Sequence, residues 1–152
     1  MSTQKILLEE KGDIGTLTLN RPDRGNAVDK EMMGAMEGIL SELSVKGHLR
    51  VLVLCGRGED FCAGRESWPK PTKSAEDWGE ELGQIVRVNH LLTTFPGITI
   101  ALVQGKANGF GFGLAVLSDL TLSAENSRFS FSEIKAGFPP TIVMSYLSRW
   151  IS

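Results

Sequence analysis

The sequence predicts an α/β protein built from strand–strand–helix units wound as a layered spiral. Three observations carry this. Apolar, β-branched runs of the buried-strand type recur, at Val51–Cys55 and at Thr99–Val103. Segments with one apolar stripe at helical spacing lie between them. Glycine, proline and asparagine punctuate the junctions, and no low-complexity linker or short-period repeat interrupts the alternation.

Ile6–Glu10 and Ile14–Asn20 read as two strands joined at Gly12-Asp13, a hairpin signal although not a pure Asx-Gly pair. In the second, Leu17 and Leu19 share one face, Thr16 and Thr18 the other. Asn20-Arg21-Pro22 ends it, because proline cannot extend a ladder from within. Asp29 is a good N-cap for a helix that puts Met32, Met36, Ile39, Leu40 and Leu43 on one stripe, and Gly47 stops that helix. Val51–Cys55 is the next strand, bounded by Gly56 and Gly58. Ser74-Ala75-Glu76-Asp77 has the form of a capping box, opening a helix with Trp78, Leu82, Ile85 and Leu92 on one side and ending near Pro96-Gly97. Short strands are expected at Thr121–Ser123 and Arg128–Phe131, a helical turn at Glu133–Ala136, and a last helix over Thr141–Trp150, with Pro140 at its start.

With 152 residues, the chain has the size of one domain and enough length to bury a sizeable core. A net charge of −2 leaves no basic footprint for nucleic acid and no polybasic membrane patch. The charged N-terminal segment (Lys5, Glu9, Glu10, Lys11) does not read as a signal peptide, and no apolar run is long enough to span a bilayer. The two cysteines, Cys55 and Cys62, lack zinc-type spacing, so the expectation is a reduced, cytoplasmic setting without a metal.

The most informative stretch is Thr99–Asp119, where a buried strand breaks into Gly105, Gly109, Gly111 and Gly113 ahead of the apolar Leu114–Leu117. Glycines at the head of a helix cost stability. They are explained either by close helix packing or by backbone N–H groups presented to a ligand at a helix N-terminus. A dinucleotide-binding turn is set aside, because Gly111-x-Gly113 is followed by no third glycine at the required spacing.

At FCAGRES (residues 61–67) and QGKANGFGFGLAVLSD (residues 104–119) the sequence resembles the crotonase, or enoyl-CoA hydratase/isomerase, superfamily. LNRPDRGNAV at 19–28, VLVLCGRGEDFCAG at 51–64 and FSFSEIKAGFPP at 129–140 extend the resemblance in the same order over nearly the whole chain. The resemblance implies a crotonase-like spiral of ββα units over residues 1–152, lacking the family's usual C-terminal helical region. It also implies an acyl-CoA thioester as substrate, with coenzyme A entering as part of that substrate and no tightly bound cofactor. Negative charge building on the thioester oxygen calls for two backbone donors, and motif matching assigns them to the N–H groups of Arg65 and Phe110, side chains excluded. Coenzyme A contacts fall, by the same matching, on Asp23, Arg24, Asn26, Ala27, Ala63, Gly64 and Gly109. Arg24 is a candidate partner for a phosphate.

Family hydratases resemble one another in using two glutamates. The second corresponds here to Glu133, close in sequence to Phe129, Phe131 and Phe138, which implies a desolvated carboxyl; helix capping is the alternative role for it. The first position holds Gly113. The implied activity is enoyl-CoA isomerase or hydratase, isomerisation ahead of hydration. Thioester hydrolysis, decarboxylation or dehydration, and a weak or inactive acyl-CoA-binding role, are the alternatives. Family crotonases continue past this point, so Leu147, Trp150 and Ile151 are expected to find cover in a homo-oligomer (trimer or hexamer) or a complementary C-terminal chain. Cys62 reads as a buried small hydrophobe, Asp119 as a buttress after the glycine-rich helix, and His48 and His90 as surface residues. Trp68 is a candidate for either the acyl pocket or a loop anchor.

Overall fold

The computed structural model describes residues 4–66, 74–135, 137 and 139–147. Trp68, Ala136, Phe138, Trp150 and Ile151, and the expectations attached to them, lie outside the described residues. Strands β1 (Ile6–Lys11) and β2 (Ile14–Leu19) form the antiparallel hairpin that the sequence predicts, with Gly12 in the left-handed conformation at the turn. Strands β3 (Val51–Gly56) and β4 (Ile98–Val103) add in parallel, followed by β6 (Leu120–Ser123), giving a five-stranded sheet in the order β1-β2-β3-β4-β6. A second, two-stranded parallel sheet pairs β5 (Lys106–Asn108) with β7 (Arg128–Ser130).

Between β2 and β3 runs helix α1 (Lys30–Lys46). The Asp29 side chain accepts from the Met32 N–H at its start, and Gly47, at φ 60°, closes its end through the Leu43 carbonyl. Helix α2 (Ala75–Thr93) leads to β4 and opens with the predicted capping box, Ser74 and Asp77 each accepting from the other's backbone N–H. Helix α3 (Phe110–Leu117) precedes β6; α4 (Ser132–Lys135) and α5 (Thr141–Leu147) follow β7.

The parallel register puts Leu17, Leu54 and Ala101 side by side on one face of the large sheet. That face joins Met32, Met36, Leu40 and Leu43 of α1 in one continuous buried core. The other face carries Val53, Cys55 and Leu122, half-buried to exposed. Burial alternates along β2, as the Leu17/Leu19 against Thr16/Thr18 pattern predicts, and also along β3 and β4, whose runs read from the sequence as buried strands but leave one face half-buried to exposed.

Three features depart from the sequence reading. Strand β5 is unpredicted, because three residues are too few to show a period. Phe131 falls outside β7. The buried stripe of α2 is Ile85, Val88, Asn89 and Leu92, while Trp78 and Leu82, assigned to the same apolar side, line a cavity instead. Among the described residues no helix is long and apolar enough to cross a membrane.

Two of the glycines answer to packing. A Cβ on Gly111 would meet the Cys62 carbonyl oxygen and Cβ at 2.6 Å each, and Gly105, at φ +56°, sits against the Glu59 carbonyl. Asp119 is the predicted buttress: it accepts from the N–H (2.8 Å) and hydroxyl (2.7 Å) of Thr99, fastening the end of α3 to the start of β4.

Candidate active site

The loop after β3 is wired to the rest of the fold by backbone bonds of long sequence separation. Cys62 donates to the Lys106 carbonyl and accepts from Asn108, 2.9 Å each, so the loop runs beside β5. Ala63 donates to the Gly25 carbonyl (2.8 Å), Gly64 accepts from Val28 (2.8 Å), and Glu66 donates to the Val28 carbonyl (3.0 Å). Two main-chain donors between Ala63 and Glu66 are passed over, those of Gly64 and Arg65, and of the two residues Arg65 borders the cavity. Its N–H has no acceptor among the described residues.

A second free N–H arises at the start of α3. Gly109 caps the helix at φ 48° and ψ −110°, and its own N–H donates to the Ser130 carbonyl of β7 at 2.8 Å. The first helical bond runs from Gly113 N–H to the Gly109 carbonyl (2.9 Å). Phe110 N–H is thus one of the orphan donors every helix start leaves, on its positive end. Arg65 and Phe110 border the same cavity, of about 410 Å³.

Glu133 lines the same cavity from a separate wall, in the first turn of α4. Its Oε2 is buried, with no hydrogen-bond partner among the described residues. Phe112 of α3 holds this wall in place, its ring centroid 5.2 Å from those of both Phe129 and Phe131. Gly113 also borders the cavity. The nearest atom that a Cβ there would meet is Val143 Cγ2 of α5 at 3.6 Å, so the position has room for a side chain and carries none.

The remaining predicted contacts divide. Asp23 and Arg24 lie exposed on a short 3-10 turn (Pro22–Arg24), Ala27 is half-buried, Ala63 lines the cavity, and Gly64 and Gly109 are buried backbone. Asn26 ties this loop together through its side chain. It is fully buried in the left-handed conformation (φ 57°); its amide donates to the carbonyls of Arg57 (2.9 Å) and Asp60 (2.7 Å), and its Oδ1 accepts from Arg21 N–H (2.8 Å). Both amide hydrogens hold the loop closed, leaving the side chain no donor for a ligand. Beside it, Arg21 donates to Glu66, and this bond holds the Glu66 carboxyl below the usual carboxylate range.

Cys62 is fully buried; desolvation pushes its thiol up to about 12, making it the inert hydrophobe that the sequence suggests. Sequence reasoning missed the side chain of Arg65. Its guanidinium is folded into the protein, 7% exposed, with Nη2 donating to Glu81 of α2 at 3.1 Å. Asn89 was missed as well, although a polar residue on the stripe Ile85–Asn89–Leu92 is a visible anomaly.

Residues 9–152 match the family model described as enoyl-CoA hydratase/isomerase. The chain belongs to this family, the crotonases. Among curated relatives, a Thermus thermophilus protein that bears an enoyl-CoA hydratase name is 34% identical over 92% of this chain and 56% of its own length. The 1,2-epoxyphenylacetyl-CoA isomerase of Escherichia coli is 33% identical over 86% of this chain and 51% of its own. Among solved structures, the enoyl-CoA hydratase of Mycobacterium smegmatis superposes with a TM-score of 0.90 at 28% identity, covering 97% of this chain and 58% of that one. The ββα spiral read from the sequence is therefore the crotonase fold. The chain spans about half the length of the curated relatives it matches.

Proposed function

We propose that this crotonase acts on acyl-CoA thioesters by stabilising an enolate, with migration of a carbon–carbon double bond favoured over hydration. The observation that carries the reading is the cavity itself. Two backbone N–H groups without acceptors, those of Arg65 and Phe110, share it with a carboxylate oxygen, Glu133 Oε2, that has no partner. Donors fixed by the fold need no reorganisation when charge develops on a thioester oxygen, the situation in which such groups contribute most.

In the proposed step, a 3-enoyl thioester lies with its carbonyl oxygen between the two N–H groups. Glu133 takes a proton from C2; the electron pair moves onto the thioester oxygen and the negative charge is delocalised to C4. The same carboxyl returns the proton to C4, the C2–C3 double bond forms as the C3–C4 double bond is lost, and no other reactant enters. One carboxylate serves both transfers, which fits a site where Gly113 offers no second acid. Addition of water asks for a further group to orient that water, and among the described Asp and Glu residues only Glu133 lines the cavity. The resemblance places the coenzyme A portion against Asp23, Arg24 and Ala63, of which Ala63 lines the cavity.

The test compares the initial rates of 3-hexenoyl-CoA isomerisation and of crotonyl-CoA hydration. The expected result is isomerisation faster than hydration. Hydration at the higher rate overturns the preference, and absence of both activities alongside acyl-CoA binding overturns the catalytic reading.

A further inference from the structure

The acyl cavity is mostly apolar, yet three of its lining residues hold polar atoms that nothing satisfies. Arg65 Nε and Nη1, Asn89 Oδ1 and Glu133 Oε2 are all buried without hydrogen-bond partners among the described residues. Glu133 is accounted for by proton transfer. The other two residues are not used by that chemistry. Arg65 keeps one nitrogen on Glu81, and Asn89 donates only a long 3.5 Å bond to the Tyr146 hydroxyl. Each of these atoms is buried from solvent. A guanidinium left this way is costly, because desolvated donors lose their hydration without replacement, and a charged group loses most.

An unbranched hydrocarbon chain filling the cavity would leave every one of these atoms unpaired. An oxygen on the acyl chain would not. The guanidinium presents its donors as a planar fork suited to an oxygen acceptor. Asn89 stands on the same lining and accepts a hydrogen, so a hydroxyl, or water held by the same oxygen, completes it. Arg65 and Asn89 both line the cavity, so a change in their terminal torsions is all that these atoms require to face a ligand there.

We infer that this pocket selects acyl-CoA thioesters whose acyl chain carries an oxygen acceptor, read by the Arg65 side chain, with Asn89 on the same cavity lining. The inference rests on the acyl-CoA reading above and adds a role for the Arg65 side chain, distinct from its backbone N–H. A site built to hydrogen-bond a substituent discriminates strongly against the analogue that lacks it, because the buried polar groups then stay unpaired.

The experiment measures dissociation constants by calorimetry for three four-carbon probes: butyryl-CoA, 4-hydroxybutyryl-CoA and succinyl-CoA. None has a double bond to move, so binding is read without turnover. The expected result is that at least one oxygenated probe binds roughly tenfold tighter than butyryl-CoA or better, a single recovered hydrogen bond to a charged group being worth that factor. Which probe wins separates a carboxylate from a hydroxyl. In Arg65→Met the ratio of constants should fall towards one, and in Arg65→Lys part of the preference should survive. Butyryl-CoA binding as tightly as both oxygenated probes in the wild type overturns the inference, whatever the variants do. A preference undiminished in a folded Arg65→Met protein also overturns it. If none of the three binds, the acyl-CoA reading itself fails, an outcome distinct from equal binding.

Discussion

The two walls of the cavity are held by different kinds of force. The Arg65 wall, residues 61–66, is tied by backbone bonds to β5, to the Gly25 turn and to Val28, all distant in sequence. Gly111 is packed so closely on Cys62 that a Cβ has no place there. The Glu133 wall relies more on local bonds and side chains. Among the described residues its backbone bonds include Ile134 to Phe131, Gly137 to Ile134 and Thr141 to Pro139. It meets α3 through the Phe112 ring contacts, the packing of Val143 near Gly113 and the Gly109–Ser130 bond, while β7 ahead of it pairs with β5. The contrast matches the chemistry proposed for each. Backbone donors act through position and need a frame that does not yield, whereas a carboxylate that takes up and returns a proton between two carbons acts through its side chain.

The largest expected effect comes from the local wall. Glu133→Gln keeps the shape and hydrogen-bonding capacity of the side chain but removes the base. The rate on 3-hexenoyl-CoA should fall by the roughly 10²–10⁴-fold characteristic of a positioned acid–base, with thermal stability close to that of the parent. A variant that retains its activity would move the chemistry to another carboxylate. One that loses activity only by unfolding would place Glu133 among structural residues.

Cys62 probes the rigidity of the other wall. Its thiol ionises at about 12 in the fold against 9.0 as an ordinary cysteine, through desolvation. The three-unit difference makes the reactive thiolate about a thousandfold rarer in the native protein near pH 8. Iodoacetamide should therefore label the half-buried Cys55 first and Cys62 only on the timescale of unfolding, as peptide mass mapping would show. The sign of the linkage follows. Below pH 9 both states keep the proton; between 9 and 12 the unfolded chain holds fewer protons than the native one. The contribution of this thiol to stability is therefore complete below 9 and falls as pH rises to 12, by about 1.4 kcal/mol per unit, and Cys62→Ala should flatten that decline. Rapid labelling of Cys62 in the native state would show that the wall opens freely.

Gly109→Val tests the frame at its other donor. The left-handed φ of 48° disfavours a β-branched residue, so the Phe110 N–H should lose its position. Loss of one such donor costs about 10²–10³ in kcat. An unimpaired kcat would separate Phe110 from the reacting oxygen.

How much of this was legible follows from the range of each interaction. Asp29, Gly47 and the Ser74–Asp77 capping box could be read because a cap is a contact between residues three or four apart. The strands could be read because burial on one face imposes alternation. The donors and Glu133 were reachable only through motif resemblance, since nothing local in FCAGRES says which N–H groups the hydrogen-bond ladder skips. The Asn26 side chain and the Arg65 guanidinium lay beyond both routes. Their partners, Arg57 and Asp60 for one and Glu81 for the other, come from separate segments that only the fold brings together. The glycine-rich stretch admitted two explanations, and the structure uses both: packing at Gly105 and Gly111, and a presented N–H after Gly109.

The smallest expected effect belongs to the rim. Arg24 lies exposed on the turn before Gly25, whose carbonyl accepts from Ala63 of the Arg65 wall, at a position where the family resemblance places a coenzyme A contact. An exposed charge pair with a phosphate is worth roughly 0.2–1 kcal/mol, because solvent screens it and the side chain loses freedom in forming it. Arg24→Ala should accordingly raise KM for an enoyl-CoA by no more than about fivefold, with the loss shrinking as salt is added, since screening already weakens the pair in the parent. The same substitution should leave binding of a pantetheine thioester, which lacks the nucleotide phosphates, at the parental level. An equal loss on both substrates would place Arg24 in the architecture of the turn, and a loss in kcat would join it to the Arg65 wall it precedes.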